Sequence, residues 1–345
     1  MKEALNSPKN KEWKAAIKKE YDGIRERNVF RVVPIPAGKR VLSTKWDFTI
    51  KKNKDGSIRK YKARWVVRGF AQREGEDFDK SKLYAPVVSF SSVRTALAMA
   101  AQWKWPIYQL DVVAAFLYAD INEELYISLP EGFKEFDSTG TELFGRLQKA
   151  LYGTKQAAYE WRNKFDKFLT SHGFITSTGD PGVYLHWSSA QQPTLLGIIL
   201  VYVDDLIVFP SSEMWMSRLR DMIRSTFDIT DEGICTWVLG MGIDHNPDGS
   251  ITLHQEKYIQ DMLQQFNITS CNPLILPWRS GDEFIFSRDD QPLPEGIPYS
   301  NLVGCLLWTA VCTRPDIAAT VSCCADLSPS RSSATGLLLS ASSVT

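Results

Sequence analysis

The chain has 345 residues, 44% of them hydrophobic and 23% charged, with 40 Lys and Arg balancing 40 Asp and Glu. That composition excludes a disordered chain, and the length suits about two or three lobes with cores of their own. The neutral total hides an asymmetry: residues 1–73 hold 21 basic against 7 acidic side chains, an excess of 14, and the remainder holds 19 against 33, a deficit of 14. A basic region of this kind suits a polyanion, although a well-solvated face has the same composition.

Trp13, Ile17, Tyr21 and Ile24 recur at helical spacing and predict an amphipathic helix over 11–27, before Pro34 and Pro36 break the pattern. Two strands follow over 43–52 and 57–67, joined at Asp55-Gly56, a strong hairpin signal. The ribbon carries Lys51, Lys52, Lys54, Arg59, Lys60, Lys62 and Arg64, a shape and charge suited to phosphates. Residues 91–103 read as a helix on Val93, Leu97 and Ala100 or Ala101, and 107–112 as a short strand containing Asp111. Over 155–172, Ala158, Trp161, Phe165 and Phe168 form a helical stripe, with Gly173 placed as the C-cap.

Two apolar strands are predicted over 195–209 around Asp204-Asp205, then a helix over 213–227 on Trp215, Leu219, Met222 and Phe227. A second hairpin turns at Asp248-Gly249 between strands near 237–245 and 250–254. A helix on Ile259, Leu263 and Phe266 spans 256–266, and the proline-rich stretch 271–298 reads as loop. Helices and strands mix without regular βαβ alternation, which gives an α+β fold class. The longest apolar run, Leu195 to Val203, falls well short of the roughly 20 residues that span a bilayer, and the N-terminus shows no apolar signal region. The six cysteines form no C-x-x-C pair and are not grouped with the four histidines, so a zinc site is not expected.

The acidic residues of GIILVYVDDLIVF (197–209) stand in an apolar setting. Two adjacent carboxylates there are costly unless cations or protons neutralise them, while a solvated hairpin tip is served by the same residues. Asp111 ends the apolar strand of PIYQLDVVAAF, a place a helix N-cap also favours. If it converges with Asp204 and Asp205 across adjacent antiparallel strands, the three would bind two hard divalent cations, with Mg²⁺ the best fit. Such a pair, about 3.5–4 Å apart, stabilises both the attacking and the leaving oxygen of phosphoryl transfer.

Several segments then form an ordered set: WKAAIKKEYDGI (13–24), KARWVVRGFAQREGEDF (62–78), YAPVVSFSSVRTALAMAA (84–101), QLDVVAAFLYADINEELYISLPEGF (109–133), KALYGTKQAAYEW (149–161), YVDD (202–205), YIQDML (258–263) and TRPDIA (313–318). In this order they resemble the reverse transcriptase domain of copia-type LTR retrotransposons, a fragment of a Pol polyprotein. The resemblance implies a right-hand polymerase of fingers, palm and thumb with an antiparallel palm sheet. It implies an extension over 1–10, fingers and palm over 11–255, and thumb and the start of a connection over 256–326.

On the same grounds, Asp111, Asp204 and Asp205 are the catalytic aspartates, binding two Mg²⁺ (or Mn²⁺) with help from the Val112 carbonyl. Phe116 matches the steric-gate position that selects dNTPs, and would otherwise read as a core aromatic. Tyr202 would pack beside the primer terminus, or is a plain strand aromatic. Lys62 or Arg64 would meet the triphosphate. Tyr152, Gly153, Lys155 and Gln156 would lie against the templating base and the dNTP, although a turn glycine and a helix start account for them too. WVLGMG (237–242) resembles a primer-gripping hairpin. The implied partners are an RNA or DNA template–primer duplex and dNTPs, with no membrane and no indicated oligomeric state. The implied location is a cytoplasmic particle or the nucleus.

Val113, Thr154 and Ala158 depart from the residues usual in the family (Lys, Leu and Pro), and none of them is an implied metal ligand. Residues 327–345 hold seven serines and a single charge, Arg331, and no ribonuclease H active site is expected within them. The expectation there is a frameshift or premature end. The rival to an active polymerase is accordingly a catalytically dead remnant that keeps the fold and binds nucleic acid.

Overall fold

The computed structural model describes residues 2–52, 57–269 and 298–325. The chain divides into two compact units, Met1–Val93 with Trp105–Gly233, and Arg94–Lys104 with the residues from Ile234 onward. The second compact unit begins at Ile234 and includes the hairpin ending at His254.

In the first unit the helix Asn10–Glu26 buries Trp13, Ile17, Tyr21 and Ile24. Trp13 packs edge-on against Phe48 and Tyr61, with ring centroids 5.2 and 4.7 Å away, and so docks the helix on the basic ribbon. The ribbon strands Thr44–Lys52 and Ile58–Val67 pair antiparallel from Thr44↔Val67 outward. Residues 53–56, including the predicted Asp55-Gly56 turn, lie outside the described residues. Ala63, Trp65 and Val67 are buried and alternate with half-buried Lys62 and Arg64. A one-residue slip would exchange those faces, so burial of Trp65 fixes where the basic side chains point.

The sheet that carries the acidic residues has six strands. Their order is Ile229–Ile234, Tyr108–Val112, Asp205–Pro210, Leu195–Tyr202, Val183–Trp187 and Phe174–Thr176. Leu110, Val112, Leu206 and Val208 face a core with Trp161, Phe165 and Leu169 of the helix Ala157–Ser171. Trp215, Met216, Leu219 and Ile223 of the helix Glu213–Arg224 complete it. The buried stripe of the first of these helices is Ala157, Trp161, Phe165 and Leu169; the sequence pattern placed it on Ala158 and Phe168, one position away. Gly173, at φ +86°, takes the left-handed position past the helix end as expected. A smaller sheet of Phe30–Val33, Phe144–Leu147, Tyr126–Ile127 and Val41–Leu42 was not foreseen, because strands of two to four residues carry too little periodicity.

In the second unit, the single strand expected over 237–245 is two strands, Trp237–Val238 and Met241–His245. Leu239 at φ +46° and Gly240 at φ +86° fold the chain back on itself, pairing Val238 with Met241. Positive φ at both central residues is the pattern of a two-residue hairpin turn. Ile251–His254 adds the third strand. The helices Glu256–Gln265, Tyr299–Cys312 and Ala318–Ala325 share a core through Leu263, Leu302, Leu306 and Val321. The expected loop 271–298, apart from its last residue, and the serine-rich tail lie outside the described residues. No described helix is long and apolar enough to cross a membrane.

Candidate active site

Asp205 is the register partner of Asp111 on the neighbouring strand and of Tyr202 within its own hairpin. The alternation that sends Leu110, Val112 and Leu206 into the core puts Asp111 and Asp205 on the opposite face. Asp204 stands in the turn beside them, and its carbonyl accepts the Val112 N–H at 2.9 Å. Trp161 Nε1 donates to the Val203 carbonyl at 2.7 Å. Val203 has φ +59°, a costly conformation for a β-branched residue, and these two bonds hold the turn in it.

The carboxylates repel one another. Burial, then the charges of Asp204 and Asp205, raise the Asp111 carboxyl above its usual range, and the Lys62 ammonium opposes the rise. Burial and Asp204 raise Asp205, opposed by the Gln109 amide, which donates to it at 3.3 Å, and by Lys51. The ribbon therefore brings Lys62 and Lys51 close enough to act on the aspartates. Glu232, on the strand beside Asp111, adds to the repulsion on both and was not found in the sequence. Nothing in the local pattern of Ile229–Ile234 signals it.

Hard, half-buried carboxylate oxygens in mutual repulsion fit divalent Mg²⁺. Among the described residues no group of three or more His, Cys, Asp or Glu side chains is arranged to hold a metal ion.

Phe116 follows a left-handed Ala114 (φ +56°) in the short turn Ala115–Tyr118, and its ring centroid lies 5.8 Å from that of Tyr152. Burial pushes the Tyr152 phenol up, and Arg64 lies over the same ring at 5.7 Å. Arg64 Nε is buried without a hydrogen-bond partner. Gly153 sits at φ +88°, where a Cβ would strike the Val67 carbonyl. A Cβ on Gly69 would in turn strike the Gly153 carbonyl, so the two segments meet backbone to backbone. Lys155 places its ammonium over the Phe78 ring at 4.2 Å, and Tyr202 is exposed.

Gln156 is fully buried, and its amide bonds to Gln72, Asp77 and Glu123. The sequence assigned it to nucleotide or template; its side chain is instead engaged inside the protein. Trp237–Gly242, the primer-grip-like segment, forms the tight hairpin of the second unit.

An acidic pair on neighbouring antiparallel strands, with Asp204 in the adjoining turn, thus stands within the influence of the basic ribbon. A family model described as reverse transcriptase (RNA-dependent DNA polymerase) matches residues 27–280, and the chain belongs to that family. The retrovirus-related Pol polyprotein from transposon TNT 1-94 of Nicotiana tabacum is 36% identical over 93% of this chain and 24% of its own length. The corresponding polyprotein from transposon RE2 of Arabidopsis thaliana is 30% identical over 92% of this chain and 21% of its own. The chain thus spans a quarter or less of these plant copia-type relatives. A foamy viral protease–reverse transcriptase, solved in complex with double-stranded DNA, aligns over 97% of this chain and 48% of its own, at 12% identity and a TM-score of 0.45.

Proposed function

We propose that this chain is the RNA-directed DNA polymerase portion of a copia-type Pol polyprotein, extending a primer 3′-hydroxyl by in-line attack on the α-phosphorus of a dNTP. The observation that carries the reading is the register pairing of Asp111 with Asp205, with Asp204 in the adjoining turn, in a chain of this family. Its substrates are an RNA or DNA template–primer duplex and dNTPs.

Divalent metal ions serve this family generally. Asp111, Asp204 and Asp205, with the Val112 carbonyl, are the residues that would hold two Mg²⁺. When bound, such ions offset charge on the transferring phosphoryl group and acidify the attacking hydroxyl. The protein's own groups do the rest. Phe116, backed by Tyr152, occludes the volume of a ribose 2′-hydroxyl. Arg64, with its unpartnered Nε, is favoured over Lys62 to meet the triphosphate, because the Lys62 ammonium already acts on the Asp111 charge. Gly153 and Lys155 line the same wall, and exposed Tyr202 borders the primer terminus. The fingers, palm and thumb assignments of 11–255 and 256–326 belong to this proposal.

Primer extension on poly-rA with dTTP and Mg²⁺ tests it. Extension by the wild type, lost on Asp204→Asn, is the expected result. Duplex binding without extension by the wild type would instead support the remnant reading. Binding should weaken steeply with salt, as phosphate contacts release counterions.

A further inference from the structure

Gln72 and Gln156 are far apart in the chain, and both are buried, at 5% and 0% exposure. Their amides form one closed set of bonds. Gln72 Nε2 donates to Gln156 Oε1 at 3.0 Å and to the Asp77 carbonyl at 3.3 Å. Gln72 Oε1 accepts the Lys155 N–H at 2.7 Å. Gln156 Nε2 donates to the Asp77 carbonyl and to Glu123 Oε2, each at 3.1 Å. Every amide hydrogen and oxygen has a partner, and rotating either amide by half a turn would set like atoms against each other. Asp77 is itself anchored by ion pairing with Arg40.

This pair joins two segments that meet at two other points. The Val67 N–H donates to the Tyr152 carbonyl at 2.8 Å, and Gly69 abuts Gly153. On one side of the seam is the strand that bears Arg64. On the other is the segment 152–155, which bears Tyr152 and Lys155. The Arg64–Tyr152–Phe116 wall is built across it, and a seam that slipped by an ångström would misplace that wall.

We propose that Gln72 and Gln156 are positioning residues for the incoming nucleotide: their amide clasp holds the ribbon and the 152–155 segment in the register that sets Arg64 and Tyr152 against the triphosphate and sugar. The inference rests on the polymerase reading. It differs from it in giving Gln156 no contact with nucleotide or template.

The test is a double-mutant cycle in the full chain with Gln72→Leu, Gln156→Leu and the pair, read as the Kd of dTTP on a dideoxy-terminated primer with a poly-rA template, as KM and kcat, and as melting temperature. Each single variant should raise the dTTP Kd and KM about tenfold, with kcat within about threefold and duplex affinity unchanged. The double variant should be little worse than either single one, because each single substitution already breaks the Gln72–Gln156 bond that closes the clasp. Additive losses, or a lowered melting temperature with dTTP Kd and KM unchanged, would overturn the clasp as a positioning device.

Should the leucine variants not fold, Gln72→Glu serves. Its carboxylate keeps the Lys155 bond but donates to Gln156 only when protonated, so its KM relative to wild type should fall as pH is lowered from about 8 to 5.5. A flat ratio overturns the proposal. A wild type that binds dTTP but does not extend overturns the polymerase reading alone, since Kd still reports the clasp; one that does neither overturns both.

Discussion

Trp161 Nε1 donates to the carbonyl of Val203, and through that bond the core helix governs the turn that presents the acidic residues. Val203 lies in the left-handed region, which costs an L-residue roughly 1–2 kcal/mol. Removing the indole donor while keeping an aromatic ring, as in Trp161→Phe, should cost about 1–3 kcal/mol by denaturant unfolding. It should also lower kcat for extension about tenfold, with a smaller change in dNTP KM. An unchanged kcat would show that the turn holds its shape without the bond.

Asp205→Asn should stabilise the metal-free protein while abolishing extension. Like charges facing each other on adjacent strands destabilise by a few tenths to about 1 kcal/mol. The Asp205 and Asp111 carboxyls are both raised in the folded state, by burial first and by neighbouring carboxylates next. The stability they contribute is therefore complete below the unfolded carboxyl range and is lost as pH rises through their folded values. The gain from the substitution should accordingly grow between about pH 4 and pH 7, as measured by melting temperature without divalent ions. Adding Mg²⁺ at neutral pH should raise the melting temperature of the wild type more than that of the variant.

Gly153→Ala should be among the most damaging small substitutions in the chain. The new methyl would meet the Val67 carbonyl and Val66 side chain at a backbone already at φ +88°. A loss of at least about 2 kcal/mol is expected. Gly38 is the control: its φ is +78°, but an added Cβ meets nothing within 4 Å, so Gly38→Ala should cost only about 1 kcal/mol.

His186 should make the first unit less stable as the solution becomes acidic. Its Nδ1 accepts the Trp215 indole N–H at 2.8 Å, and its ring stacks on Phe174 at 4.7 Å. Burial lowers its pKa, so the neutral ring is the form the fold prefers. That contribution is present above the unfolded histidine value and is lost as pH falls through the lower folded one. Melting curves between pH 7.5 and 5 should show a fall that His186→Gln reduces.

Much of this was legible along the chain, and the reason is local. Trp13, Ile17, Tyr21 and Ile24 lie within one helix, and their spacing alone marks the face that is buried. The YVDD hairpin is likewise two apolar strands with a short acidic turn, readable from neighbouring residues. The segment 237–245 failed the same reading, because the turn at Leu239-Gly240 is set by backbone conformation and Leu is no turn signal.

By itself, then, the sequence determined the identity of the family, the helices and strands with clear periodicity, and the acidic and basic residues on them. Only the tertiary structure decided which of those residues meet. Asp111 faces Asp205 because two distant strands pair in one register, and a one-residue slip would have turned either away. Glu232 joins them through the strand beside Asp111. Gln156 turns inward because its amide finds partners on Gln72, Asp77 and Glu123, contacts with no trace in local spacing. Periodicity records only whether a side chain faces a core; the partner it finds depends on how strands and loops distant in sequence are brought together.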